Sequence, residues 1–570
     1  MSEIPAPNPS GEPQIRLTAR LRQAWRERPA RVAATGLLVV YALTVLGNAW
    51  LCDDAYITFR VVDNVINGLG PVWNVGERVQ AYTNPLMMLL MSGLSFVTRE
   101  VYFTGIALSV VASVAAVAIL VLRVSRSDVL SIVALLPLTF SGFFVAYSTS
   151  GLENCLIFLL LALFFWVYSL SDCFSGRSLL LLTLLFSVSL VNRMDTAILL
   201  LPPLCWAYWR NDAVRPVQMI RSGLVGMLPF AAWEVFAVVY YGFPFPNTAY
   251  AKLYTGVPQG EYIIRGIWYY VMTFVQDPVV LLGTLFGCVA ILLDRRLKTT
   301  VPLMGVALYL IYIVRIGGDF MRGRYFTAPL FMVMLVLVMV DVDRLKPRLA
   351  FKAVIAGALA LLLFQNGVGM VYGSTSLNKI EPYWINDDKT TYFARTSLLL
   401  NLVENQRQKG TAGERELLEK GVSPVIYSFL GFAGYYGGPQ VHIIDHVALS
   451  DALLARLPAM YDPDWKVGHH RRYIPDGYMQ TVRTGRNAIE DPDLAAFYDQ
   501  LRLVTSGEVW SRERWMAILA LNTGKLDHLV DRQHYRFGVR EQFDISQPQF
   551  DAPSDADADV VPVVDGLPKP

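Results

Sequence analysis

The 570-residue chain is 54% hydrophobic and only 17% charged, against about 25% charge in an ordinary soluble protein. A wholly soluble fold is therefore excluded, and a net charge of +2 gives no electrostatic footprint for nucleic acid. The five cysteines (Cys52, Cys155, Cys173, Cys205 and Cys288) lie in or near apolar runs and form neither a disulfide framework nor a zinc pattern.

Residues 1–32 are polar and Arg-rich, with Arg16, Arg20, Arg22, Arg26, Arg28 and Arg31 before the first apolar run. They read as a cytoplasmic basic segment, not as a cleavable signal peptide. Apolar runs recur from about residue 33 to about residue 371. This predicts a polytopic α-helical membrane domain over 33–371, a soluble extracytoplasmic domain over 372–550 and a disordered Asp/Pro-rich tail over 551–570.

The first span (about 33–51) ends on Cys52-Asp53-Asp54 and opens the first outer loop, 52–101. Within it, Pro85–Val97 is too short to cross about 30 Å of hydrocarbon and reads as an interfacial helix. That choice fixes the parity of every later loop. Arg123 and Arg126, Arg177, Arg210 and Arg215, Arg295 with Arg296 and Lys298, and Arg344 with Lys346 and Arg348 then all face inside. About eleven spans result, the last over about 350–371.

The outer loops collect the polar motifs. Asp53, Tyr56, Arg60, Asp63 and Asn67 share one face of a helix that follows the first span. Asp53 suits a general base, with Asp54 beside it to hold a cation or a sugar hydroxyl, or as the helix N-cap. Glu153 follows Ser150-Gly151-Leu152, and Arg193 and Asp195 end another span. Asn247, Thr248 and Lys252 offer an amide, a hydroxyl and an ammonium above the membrane. In Gly317-Gly318-Asp319-Phe320-Met321-Arg322-Gly323-Arg324, Arg322 and Arg324 can fork onto a phosphate.

In the soluble domain, Pro424–Phe429 and Val441–Asp445 read as strands around a turn or helix at Gly431–Tyr436, with a helix at Leu449–Leu457: a small α/β unit. Asp445 and His446 at a strand end, and Tyr473 in a basic aromatic loop, are candidate acceptor contacts. His469 and His470 lack a third metal ligand. No phosphate-binding loop or GxGxxG is present, so no nucleotide site is indicated.

The Asp53-Asp54 pair, Asn74-x-Gly76-Glu77-Arg78-Val79-x-Ala81-x-Thr83-Asn84, Ser150-Gly151-Leu152-Glu153, Asn247-Thr248-x-x-x-Lys252 and the Gly317–Arg324 run resemble C-type (GT-C) membrane glycosyltransferases. Within these, the combination is most similar to the mycobacterial terminal arabinofuranosyltransferases and their relatives, including pilin arabinosyltransferases. The resemblance implies a decaprenyl-phosphoryl-arabinofuranose donor and an acidic residue of the first outer loop as base or nucleophile. It also implies a C-terminal extracytoplasmic domain that helps to bind glycan.

The expectation is transfer of a pentose from a polyprenyl-phosphate donor to a cell-envelope glycan, at the outer face of the bacterial plasma membrane. Asp53 and Asp54 are its catalytic residues. Arg60, Asn247, Thr248, Lys252, Asp319, Arg322, Arg324, Arg193 and Glu153 bind donor, and Asp445, His446 and Tyr473 bind acceptor. No definite cofactor is indicated, and a divalent metal is compatible with the carboxylates. Mannose or glucose as the sugar, or a glycoprotein acceptor such as pilin, keeps the same chemistry. A lipid or glycan transporter, or a glycan-binding envelope scaffold, is the reading from another class.

Overall fold

The computed structural model describes residues 28–211, 214–253, 255–341, 382–404, 423–427 and 430–539. Most of the N-terminal basic segment, the last predicted span (about 350–371) and the tail lie outside the described residues.

The described chain is almost all helix. α1 (Pro29–Gly47) leads to α2 (Asp53–Ile66), α3 (Pro85–Thr98) and α4 (Tyr102–Ile119). A bundle follows: α5 (Asp128–Phe140), α6 (Gly142–Tyr147), α7 (Asn154–Ser169), α8 (Gly176–Asn192), α9 (Thr196–Trp209), α10 (Pro216–Gly226) and α11 (Leu228–Tyr240). Next come α12 (Asn247–Leu253), α13 (Gln259–Gln276), α14 (Pro278–Asp294), α15 (Leu297–Arg315) and α16 (Thr327–Leu337). Several starts are dictated locally: Pro29, Pro85, Pro216 and Pro278 occupy first-turn positions, and Ser127, Ser141, Ser175 and Asp277 cap amides.

Among the described residues, three helices are long and apolar enough to cross a membrane alone, or up to five if each bent pair forms one span. This architecture is consistent with a polytopic membrane protein. The loops alternate between two ends of the bundle. At the end expected from the sequence to face inside, called the inner end, Arg126 reaches the Val338 and Ser169 carbonyls, Arg296 the Met339 carbonyl, and Lys298 pairs with Asp172 at 2.9 Å. At the opposite end, expected to face outside and called the outer end, the Cys52 amide donates to Ser150 O at 2.9 Å, and Asn192 reaches Glu153 O.

Helix α3 begins and ends at the outer end. Asn84 before it bonds Glu153. Beyond its other end, the Tyr102 hydroxyl donates to Thr396 O, and the Thr396 hydroxyl donates to Leu51 O. Its 14 residues span only about 21 Å. The sequence had no sign of a second such element, yet α13 behaves alike: Gln259 bonds Arg315 O and Gln276 bonds Arg322, and α14 leaves at 101°.

The C-terminal segment is docked on the outer end. It comprises α17 (Asp388–Thr396), α18 (Leu398–Glu404), β1 (Val425–Ile426), α19 (Leu430–Gly437), β2 (Ile443–Ile444), α20 (Tyr478–Thr484), α21 (Pro492–Ser506) and α22 (Arg512–Asn522). The two strands pair in parallel around α19, as the strand–helix–strand pattern predicted. They are only two residues long, and the rest of the described unit is short helices joined by a long irregular stretch between β2 and α20. The predicted helix at Leu449–Leu457 is instead a single 3-10 turn at Leu454–Arg456. Asp445 and Asp451 divert the backbone amides of Val447, Leu449, Ser450 and Leu454 to their carboxylates, so a regular helix cannot form there.

Helix α2 is buried over most of its length, Tyr56 and Arg60 of its polar stripe included. Residues Ala55 to Val62 are all buried, and α19 covers them, with Tyr56 and Phe432 rings 4.5 Å apart. Gly431 permits the approach, because a Cβ there would overlap the Asp53 carbonyl. Gly431→Ala is expected to destabilise the protein by about 1–3 kcal/mol through overpacking. An unchanged midpoint in thermal unfolding would refute the close approach.

Candidate active site

Glu153 is the hub at which the outer helix ends meet. Its Oε1 accepts from Arg193 Nη1 at 2.5 Å and from Arg324 Nη2 at 2.7 Å, and its Oε2 accepts from Asn84 Nδ2 at 3.1 Å. Arg193 also donates to Asp195 at 2.8 Å and to the Tyr325 hydroxyl at 2.6 Å, and Arg324 reaches Asp319 at 3.4 Å. Burial alone would raise the Glu153 carboxyl, but the two guanidiniums outweigh it and hold it well below the usual range. These four outer loops are far apart in sequence and join through this carboxylate.

Asp54 stands at the head of α2, half-buried and facing charges of both signs. Burial raises its carboxyl above the ordinary value; Arg324, Lys252 and Lys466 pull it back, and Asp319 adds to the rise. Lys252, near the end of α12, has its ammonium lowered by burial, against Asp319 and Asp54. Its side chain nevertheless remains exposed, as in a chamber that admits solvent.

Two more members come from the C-terminal unit. Lys466 sits 4.0 Å over the Phe320 ring, and burial lowers its ammonium against Asp388 and Asp54. Asp388, the first residue of α17, is buried, and that burial raises its carboxyl well above normal despite Lys466. Residues Lys466 to His469 form a tight turn that brings Gly468, at φ +77°, against Lys252: a Cβ there would lie 3.3 Å from Lys252 Nζ. The His469 ring stands edge-on to Phe320 at 4.5 Å. Asp54, Asp319 and Asp388 thus form one connected electrostatic group with Lys252, Lys466 and Arg324, and the space they face is called the chamber below. Among the described residues, no group of three His, Cys, Asp or Glu side chains is placed to hold a metal ion.

Other predicted site residues have structural partners. Asp53 accepts the Gly431 and Phe432 amides at 3.3 and 2.8 Å, so it anchors the start of α19. Arg60 is buried and donates to the Trp73, Gly434 and Val441 carbonyls and to Asn74, which ties α2 to the C-terminal unit. Asn247 donates to the Ala448, Leu449 and Asp451 carbonyls and accepts from Arg456. Thr248 is buried, its hydroxyl without a partner among the described residues. Arg322 bonds Gln276 and the Ile385 carbonyl, which holds the segment that delivers Asp388.

The predicted acceptor residues lie elsewhere. Asp445 is fully buried and accepts from the Val447, Leu449 and Ser450 amides; burial pushes its carboxyl up to about 7. His446 is buried, which pushes its imidazole down to about 4. Tyr473 donates to Asp476 at 3.1 Å.

With this geometry in hand, the relatives are informative. The chain is 28% identical to the terminal beta-(1->2)-arabinofuranosyltransferase of Corynebacterium glutamicum over 594 residues, covering 85% of this chain and 83% of the relative. It is 27% identical to the protein of the same name from Mycobacterium tuberculosis over 348 residues, 53% of this chain and 54% of that relative. The chain is a relative of the terminal arabinofuranosyltransferases. No family model matches it, and no solved structure does.

Both relatives are glycosyltransferases by name, so the expectation of such an enzyme is borne out. As for residues of this arabinofuranosyltransferase relative, sequence reasoning passed over Asp388 and Lys466. Asp388 opens the short helix α17, and Lys466 stands in an irregular turn. The only signal was their mixture of acidic, aromatic and basic residues: Asp387-Asp388-Lys389 and Asp462-Pro463-Asp464-Trp465-Lys466.

Proposed function

We propose that this protein transfers an arabinofuranosyl unit from a polyprenyl-phosphate donor to a cell-envelope glycan, with Asp54 as the general base. The observation that carries the reading is that the Asp54 carboxylate, at the head of α2, interacts electrostatically with Arg324, Lys252 and Lys466, whose segments meet where Gly468 abuts Lys252 and Lys466 covers Phe320. An acceptor hydroxyl oxygen attacks the anomeric carbon, and the bond from that carbon to the phosphate oxygen breaks. The electron pair stays on the phosphate, where the two ammoniums and Arg324 stabilise it. The hydroxyl proton passes to Asp54. Glu153 keeps Arg324 in place without itself reacting.

The chamber lies at the extracytoplasmic face in this reading, because the basic loops gather at the opposite end. About eleven spans cross the plasma membrane, α3 and α13 lie along its outer surface, and the C-terminal unit roofs the chamber. A lipid-borne donor needs no nucleotide pocket.

The test is turnover by the reconstituted protein with polyprenyl-phosphoryl arabinose, mannose or glucose, and an arabinan oligosaccharide as acceptor. Transfer of arabinose alone supports the reading. Transfer of a hexose instead would keep the chamber chemistry and reject the sugar.

The pH profile gives a second expectation. Asp54 must be ionised to accept a proton, so the acidic limb of kcat/KM is expected above the ~3.9 of an ordinary Asp. Lys252 helps to keep the carboxylate ionised, so Lys252→Gln should move the limb of the residual activity to higher pH. A limb that stays in place or moves down would contradict Asp54 as base.

A further inference from the structure

Behind the 465–470 turn lies a cavity of about 200 Å³, whose lining includes Val257, Glu261, Tyr461, Trp465, His470 and Arg471. The turn has two sets of neighbours. Lys466 and His469 meet Phe320, and Gly468 meets Lys252, all at the catalytic chamber. Trp465 and His470 line the cavity instead. Their rings stack 4.9 Å apart, the indole donates to Glu261 at 2.8 Å, and Arg265 lies 3.9 Å over the indole. His470 is 3% exposed; its Nε2 is 3.1 Å from the Tyr262 hydroxyl, and its Nδ1 has no hydrogen-bond partner among the described residues. Tyr461 is 63% exposed and leaves a ring face to an incoming ligand.

This lining suits one ligand chemistry. Tyr461 supplies exposed apolar ring surface with a polar tip, suited to the C–H face of a sugar, while Trp465, packed between His470 and Arg265, backs the cavity wall. Glu261, Asp462, Arg471 and His470 supply planar hydrogen-bonding groups for hydroxyls. Acid and base are both present, which favours a neutral polyol over an anion or a cation. The volume lies below the ~300–1,000 Å³ of drug-sized sites. A cavity of this size suits one sugar ring rather than an oligosaccharide or a lipid.

We infer that the cavity is a saccharide subsite that holds one unit of the acceptor glycan, set back from the hydroxyl that reacts in the adjoining chamber. The inference rests on the transfer reading above and adds a place where the acceptor is gripped. It is separate from Asp445, His446 and Tyr473. One short turn walls both spaces, so a glycan held in the cavity leads its next units past Lys466 toward Asp54.

The test uses the full chain in lipid nanodiscs. An arabinofuranose oligosaccharide is titrated calorimetrically into wild type, Tyr461→Ala, Tyr461→Phe and the cavity-filling Val257→Phe, each checked for an unchanged unfolding midpoint. Tyr461→Ala and Val257→Phe are expected to weaken binding about five- to tenfold, and Tyr461→Phe, which keeps the ring, to retain it. In turnover, the first two variants raise KM for the oligosaccharide and leave kcat unchanged. Equal affinity in all four proteins, or no binding by wild type, overturns the subsite even if transfer proceeds. Oligosaccharide binding that is ring-dependent in a protein that transfers no pentose keeps the subsite and rejects the transfer reading.

Discussion

Asp54→Asn is expected to lower transfer by about 10²–10⁴-fold, the usual contribution of a positioned general base, while the protein remains folded. The amide is isosteric and cannot take the acceptor proton. Asp53→Asn should behave differently. Asp53 accepts two backbone amides at the start of α19, and hydrogen bonds to a charged group contribute about 1.5–3 kcal/mol. Its loss should appear as a lowered unfolding midpoint and looser docking of the C-terminal unit, with the chemistry retained at a temperature where the protein is folded. The pair therefore separates the two carboxylates. Lost turnover in Asp53→Asn at an unchanged midpoint, with Asp54→Asn active, would exchange their roles.

The largest stability effect is expected at Glu153. Its carboxylate is 1% exposed and pairs with Arg193 and Arg324, which are 14% and 10% exposed. Glu153→Ala would leave both guanidiniums without their shared partner in a water-poor setting. Breaking a buried pair in this way costs about 3–5 kcal/mol. The wild-type carboxyl is held well below its unfolded value of ~4.3, so its contribution is complete at neutral pH. It fades only as the pH falls below that unfolded value. Thermal or denaturant unfolding of the reconstituted variant measures the loss. A midpoint within error of wild type would contradict the role of Glu153 as the hub of the outer loops.

The parts of this site that were legible in the sequence are those set by local pattern. Hydropathy and the placement of Arg and Lys located the bundle helices and put Asp54, Glu153, Arg193, Lys252, Asp319 and Arg324 on a common side, where the structure brings them together. Hydropathy could not distinguish Asp53 from Asp54. Both begin one helix, and their fates are decided by α19, 378 residues further along the chain: its amides take Asp53 and leave Asp54 to the chamber. Arg60 and Asn247 look like free polar groups because a sequence does not display the carbonyls that consume them. Arg322 and Arg324 are two residues apart, yet one secures the 385–386 segment and the other meets Glu153.

Asp388 and Lys466 belong to the site only because the C-terminal unit folds back over it. Asp388 opens a helix and Lys466 lies in a turn, but neither local pattern says what they face; their position is set by tertiary packing: the Asn386 and Arg322 backbone contacts for one, the Gly468 turn against Lys252 for the other. Helix α13 was hidden for a related reason. Its Glu261, Arg265 and Gln276 face the outer loops and break the apolar run that a spanning segment would present.

The central claim is that the chamber between the outer helix ends and the C-terminal unit is where the sugar leaves its phosphate. Structure determination of Asp54→Asn in nanodiscs with bound polyprenyl-phosphoryl arabinofuranose tests it most directly. The account predicts the donor phosphate on Lys252, Lys466 and Arg324, with the anomeric carbon facing the side chain at position 54. A donor seated with its phosphate away from these three cations, at another outer loop or at the inner end, would contradict it.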